Sequence, residues 1–296
     1  MAAEVAAAVA RGAPVVALES TLFAHGLPRP GNLIVAAELE ERLRDAGVVP
    51  ATVGVIGGSP VVGLSSAEIE LLGSGGVAKA SARDLPLAAA TESDAATTVA
   101  ATAWLAERAG VRIFATGGLG GVHRGAAATF DESADLVALA RTPITVVCAG
   151  VKSILDVPAT LERLETLGVS VAGYRTDRFP GFFVTDSGHP VTWTLHDPQQ
   201  VATAMAARDE LGMTAALVVA NPVPEEEQLD PAWHDRLLAE AIEAAVVAGV
   251  DGQAVTPFLL EHMQRESGGA SLRANVAAVR DNVRVAAEIA LAWAAR

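Results

Sequence analysis

Thr98-Val-Ala-Ala-Thr-Ala-Trp-Leu-Ala-Glu-Arg-Ala-Gly-Val-Arg-Ile-Phe-Ala115 places an alanine- and leucine-rich helical segment directly before a short apolar run. The helical pattern covers about 94–109, and Val111-Arg-Ile-Phe-Ala115 reads as a buried strand. The same alternation continues in both directions. Val15–Leu18, Thr52–Ile56, Ile144–Cys148, Val169–Ala172 and Ala215–Val219 predict further buried strands. Helical patterns fall between them at about 32–47, 65–73, 156–167 and 197–211, and about 231–295 reads as mostly helical. This order predicts an α/β protein with a largely parallel sheet. Val191-Thr-Trp-Thr-Leu195 alternates with period two and predicts an added antiparallel strand, hence a mixed sheet. No linker, low-complexity run or repeat divides the chain, so 1–296 is read as one domain.

Composition narrows the class of function. With 21 basic and 35 acidic residues the formal net charge is −14, and no basic stripe is visible, which argues against a nucleic-acid partner. No apolar run reaches the roughly 18 residues of a membrane span. The opening Met1-Ala-Ala-Glu-Val lacks the basic start of a signal peptide. Cys148 is the single cysteine, which fits a reducing compartment, and a cytoplasmic location is expected.

Of the 21 basic residues only Lys79 and Lys152 are lysines. A coding bias toward arginine accounts for most of this. Under such a bias a lysine persists where an amine must lose its proton and attack a carbonyl, which guanidinium cannot do. Lys152, in Ala149-Gly-Val-Lys-Ser-Ile-Leu-Asp156, follows the Cys148 strand and is a candidate Schiff-base former, or a lysine snorkelling from a partly buried turn. Lys79-Ala-Ser-Ala-Arg83-Asp84 offers two cations for a phosphate, unless Arg83 pairs with Asp84.

Other polar groups also sit at predicted strand ends, where α/β sheets bind ligands. Glu19 ends the first strand, as a general acid or an acceptor of backbone bonds, and Asn221 follows the Val219 strand. Thr116-Gly-Gly-Leu-Gly-Gly-Val-His-Arg-Gly125 has glycine at five of ten positions. It reads as a phosphate-cradling nest or as a tight surface loop. Asp131-Glu-Ser-Ala-Asp135 reads as an acidic helix start, where a divalent cation would relieve the repulsion of two carboxylates four residues apart. His25, His189, His196, His234 and His262 show no metal spacing.

Taken together these segments resemble the pseudouridine-5′-phosphate glycosidases, also labelled indigoidine synthase A-like proteins. The likeness is carried by Val15–Thr21, His25–Pro28, Arg83–Pro86, Ala96–Ala100, Thr116–Gly125, Asp131–Leu136, Val147–Asp156, Val218–Pro222, Thr256–Leu260 and Ser271–Asn275. It runs in order from about residue 13 to 292. The resemblance implies a three-layer α/β/α fold, a homotrimer, and a divalent metal, Mn²⁺ or a similar ion. It also implies interconversion of pseudouridine 5′-phosphate and water with uracil and ribose 5-phosphate. By position, Lys152 would be the nucleophile and Glu19 the proton donor. Lys79, Val99, Ser133, Ala134, Asp135, Thr116, His123 and Asn275 would contact substrate, and Asp131 would hold the metal. Glu132 departs from the family pattern, replacing an apolar residue between the two aspartates. A Schiff-base aldolase or lyase acting on another sugar phosphate, and a non-catalytic sugar-phosphate-binding protein, are the alternatives; only the second would need neither Glu19 nor Lys152.

Overall fold

A computed structural model describes residues 1–250 and 255–296. Among these residues ten strands form one sheet: β1 (Val15–Glu19), β2 (Val49–Ile56), β3 (Ser59–Val62), β4 (Ala78–Ala80), β5 (Ala95–Thr97), β6 (Ile113–Ala115), β7 (Thr145–Cys148), β8 (Ser170–Tyr174), β9 (Thr194–Leu195) and β10 (Leu217–Ala220). Their order is β4-β5-β2-β1-β6-β7-β10-β8-β9, with β3 paired to β2. The middle of the sheet is parallel throughout.

The helices are α1 (Ala3–Ala10), α2 (Thr21–His25), α3 (Gly31–Asp45), α4 (Ser66–Gly73), α5 (Leu85–Ala90), α6 (Val99–Arg108), α7 (Ala126–Thr129), α8 (Ala134–Leu139), α9 (Val157–Thr166), α10 (Pro198–Glu210), α11 (Pro231–Val247), α12 (Val255–Glu266) and α13 (Ala270–Ala294). They cover both faces, as the strand residues dictate. Val15, Ala17, Phe114, Val146 and Cys148 point into the core beneath α1, α6, α8 and α11, while Val16, Leu18, Ile113, Ala115 and Val147 meet α3, α10 and α13. Successive side chains alternate across the pleat, so a strand buried on both faces must be apolar at every position. Helix starts are written in the sequence too. Asp156, Asp197 and Asp230 each cap a helix by accepting from a backbone amide three residues on, with proline in the first turn.

Three readings need correction. The 191–195 run contributes only Thr194–Leu195, and β9 pairs with β8 in parallel, not antiparallel. Period-two alternation records an edge strand with one wet face; it says nothing about direction. The antiparallel pairs lie at the other end, where β3 and β5 both run against β2. Gly57 and Gly58, both at positive φ, make the β2–β3 turn. Finally, β5 occupies residues assigned above to a helix. Ala95 and Ala96 carry a helical propensity, but Thr97 fixes them in the sheet: its amide donates to Ser20 Oγ at 2.8 Å and its hydroxyl to the Val53 carbonyl at 2.8 Å. The predicted 231–295 helical region is α11, α12 and α13, apart from its residues 251–254, which lie outside the described set.

Candidate active site

The carboxyl ends of β1, β6 and β7 form the floor of the site. Glu19 closes β1 and is 8% exposed. Thr116, the residue after β6, donates its hydroxyl to Glu19 Oε1, and Thr21 donates to Oε2. Hydroxyls rotate and can give or take a hydrogen bond. The pair therefore holds the carboxyl in place whether or not it carries a proton, which a general acid needs. Thr116 is itself held from behind: its carbonyl accepts from Asn282 Nδ2 at 2.7 Å, and Asn282 Oδ1 accepts from Asn221 Nδ2 at 3.0 Å. Asn221, which the sequence placed among site residues, thus turns toward α13 and braces the floor. Asn282, fully buried, gave no sign of this in the sequence; only its position in an otherwise apolar helix face marks it.

Lys152 lies in the turn after β7. Its amide donates to the Leu119 carbonyl at 3.2 Å, and its carbonyl accepts from the Leu155 amide at 2.9 Å. Lys79 approaches from β4. Burial of its ammonium pulls it below the usual lysine value, the Lys152 charge adds to that, and Glu19 and Asp135 oppose it. Lys79 still has a water-exposed surface, so this desolvation is that of a pocket mouth rather than of a core. Lys152, Glu19 and Asp135, from three other segments, all act on the Lys79 charge. His25 joins them: burial and the Lys79 charge push its imidazole down from the ordinary value, against a hydrogen bond to the Ala78 backbone. Arg83 does not join, being largely exposed and 3.6 Å from Asp84.

The glycine loop works by close approach. A methyl at Gly120 would sit 2.3 Å from Ser133 Oγ and 2.7 Å from Asp135 Oδ2, and one at Gly118 would sit 2.6 Å from the Phe182 ring. Of its five glycines only Gly125 has positive φ. The amides of Leu119, Gly120, Val122 and His123 all donate to protein acceptors, so these amides form no anion nest. Asp135, 7% exposed, is the clamp: Oδ2 accepts from Gly120 N and Oδ1 from Ala100 N, both at 2.9 Å. It ties the loop to the start of α6. Ser133 caps α8 by accepting from Asp135 N at 3.2 Å, and Ala134 is exposed beside it. Val99 opens α6 with its side chain in the core, which leaves only its backbone for a ligand. Asn275, on α13, has a buried Oδ1 with no partner among the described residues, 3.2 Å from where a Gly117 methyl would be. Cys148 is fully buried, and burial pushes its thiol up to about 12, so it is no nucleophile at neutral pH.

Asp131 precedes α8 rather than sharing a helical face with Asp135, whose two oxygens are already taken by amides. The expected shared cation between them therefore has no basis. Among the described residues no three His, Cys, Asp or Glu side chains gather into a metal cluster. Asp131 offers one carboxylate, 38% exposed, with His123 Nδ1 3.6 Å away. That donor set fits a hard cation that keeps most of its water and leans on a substrate phosphate. Glu132 turns away, its Oε2 accepting from Arg163 Nε at 2.8 Å.

Comparison with known proteins finds relatives along nearly the whole chain. Two curated relatives named pseudouridine-5′-phosphate glycosidase are 62% identical over 290 residues (Frankia alni; 98% of this chain, 80% of the relative) and 61% identical over 295 (Salinispora tropica; 99% and 91%). The crystal structure of the prealnumycin C-glycosynthase AlnA in complex with ribulose 5-phosphate superposes with a TM-score of 0.92 at 40% identity, covering 99% of this chain and 96% of that one. An indigoidine synthase A-like protein from Thermotoga maritima superposes with a TM-score of 0.88 at 39% identity, over 95% and 93% of the two chains. Residues 4–292 match the family described as indigoidine synthase A like protein, and the chain belongs to that family.

Proposed function

We propose that this chain is an enzyme that reversibly cleaves the carbon–carbon glycosidic bond of pseudouridine 5′-phosphate, giving uracil and ribose 5-phosphate. The observation that carries the reading is that Lys152, Glu19 and Asp135 all lie near enough to Lys79 to act on its charge. The names of the relatives and the sugar phosphate bound by AlnA point the same way.

The residues suit a bond that ordinary glycosidases cannot break. Those enzymes protonate a leaving oxygen, but here the leaving atom is a carbon of uracil. Glu19 gives its proton to the ring oxygen as the C1′–O4′ bond opens, with electrons drawn from the uracil ring. The Lys152 amine adds to C1′, forming a C–N bond and returning electrons to uracil. Protonation of the uracil carbon then lets the C1′–C bond break, the nitrogen lone pair becoming the second bond of an imine. Water adds to that imine and releases ribose 5-phosphate and the free amine, so one water is consumed. Lys79 faces the phosphate end of the substrate as a cation. Thr116, His123, Ser133, Ala134, Asn275 and the Val99 backbone line the rest.

A divalent cation at Asp131, Mn²⁺ in the first instance, would supply positive charge toward the phosphate. The one continuous sheet supports reading 1–296 as a single domain. A homotrimer and a cytoplasmic location complete the proposal; no helix among the described residues is long and apolar enough to cross a membrane.

The test incubates the protein with ribose 5-phosphate and Mn²⁺, reduces it with borohydride and looks for a pentose-phosphate adduct on Lys152 by mass spectrometry. Uracil release from pseudouridine 5′-phosphate is followed in parallel, with and without EDTA. An adduct plus uracil release supports the reading. Neither one, from folded and metal-loaded protein, sinks it.

A further inference from the structure

The residue after Lys152 has its side chain buried away from solvent. Ser153 is 4% exposed, and its Oγ lies 2.9 Å from Nε2 of His234 in the first turns of α11. His234 is 5% exposed, with the Phe183 ring centroid 6.3 Å from its own. On its other side Nδ1 is 3.1 Å from Asp235 Oδ1. An ionised carboxylate only accepts, so Nδ1 carries the ring proton and Nε2 presents a lone pair. Ser153 therefore donates. Burial pushes this imidazole below its ordinary value and the Arg124 charge adds to the effect, while Asp235 opposes; the neutral ring keeps Nε2 available as an acceptor. The backbone of the same turn is gripped by Arg124, which donates to the Ile154 and Ser153 carbonyls at 3.2 and 3.3 Å.

A serine–histidine–aspartate order invites comparison with hydrolytic triads. Ser153, however, has no open face from which to attack, and the Asp235 side chain is 82% exposed. The chain of hydrogen bonds holds a turn in place and does no chemistry itself. We infer that His234 is a positioning residue, fixing through Ser153 the turn that aims the Lys152 amine at C1′ of the sugar. Helix α11 thereby sets the rate at which the imine forms, without touching substrate. This inference rests on the imine reading above. Misplacing a nucleophile by about 1 Å can cost on the order of 10²-fold in rate. Affinity for the phosphate, held by other groups, has no reason to follow.

The experiment measures kcat, KM and borohydride-trapped adduct for full-length wild type, Ser153→Ala, His234→Leu, His234→Gln and the Ser153→Ala/His234→Leu pair. Ser153→Ala and His234→Leu should each lower kcat by about 10- to 100-fold with KM within about threefold. Glutamine can place an acceptor near the Nε2 position, and His234→Gln should recover most of the loss. The double variant should be no slower than either single one, as expected for two residues in one hydrogen bond. Should His234→Leu fail to fold, Ser153→Ala alone decides, since it removes only a hydroxyl. Wild-type kcat in Ser153→Ala overturns the inference, as does a His234→Gln no better than His234→Leu. Wild-type protein that traps no ribose 5-phosphate overturns the imine reading and this inference together, and that outcome is recognised before any variant is made.

Discussion

The two lysines meet the same pocket from opposite kinds of structure. Lys152 sits in a turn off the central strand β7, pinned by Leu119 on one side and followed by the buried Ser153. Lys79 rides on β4, a three-residue strand at the edge of the sheet whose neighbour in the strand order is β5 alone. A nucleophile must arrive at one atom along one line, and central burial supplies that. A phosphate contact tolerates latitude, because a charge–charge attraction falls off slowly with distance. Under the roles proposed for the two lysines, rigidity in this site is distributed by chemical task.

Replacing each lysine by arginine should split the two most widely. Lys152→Arg keeps the charge but cannot form an imine, and kcat should fall by at least about 10³-fold with no trapped adduct. Lys79→Arg should stay within about tenfold of wild type in kcat/KM, since the guanidinium also binds phosphate. Equal losses from the two would erase the distinction. Glu19→Gln should lower kcat by about 10²- to 10⁴-fold, the range of a positioned acid, with KM little changed in steady-state assays. Gly120→Ala drives a methyl into Ser133 and Asp135, and should cost about 1–3 kcal/mol in denaturant unfolding, a loss that Lys79 variants should not show.

The smallest effect is in pH. His234 has a folded-state value below its unfolded value, so the unfolded chain binds more protons as pH falls through about 6.5. Stability is lost over that descent and regained as pH rises. The thermal midpoint should drop between about pH 7 and 5.5, and His234→Gln should remove part of that slope. An unchanged slope would show that other groups carry it.

Much of this was legible beforehand. Strands buried on both faces must be apolar at every position, which is why β1, β6, β7 and β10 stood out. The scarcity of lysine marked Lys79 and Lys152, and Glu19 announced itself as a carboxylate ending an apolar run. What stayed hidden depended on partners far away in the chain. Ala95-Ala96-Thr97 is sheet only because Ser20 and Val53 accept from Thr97 there. Asp135 becomes a clamp only once the loop at Gly120 and the start of α6 are beside it. The strand end marked Asn221 but not its bracing role, and His234 carries no local pattern, since each answers to a residue dozens of positions off.

One feature ties catalysis to the order in which the chain is made. The final helix, α13, seals the face formed by Val16, Leu18, Ile113 and Val147, and its Asn282 reaches back 166 positions to hold Thr116. Arg280 reaches back 242 positions to Glu38. Contacts of such span form late and slow folding, and until they form the sheet shows water an apolar face. Synthesis must therefore pass α13 before Thr116 can be set against Glu19. A chain cut short before α13 should be sticky and inert, never a partial catalyst.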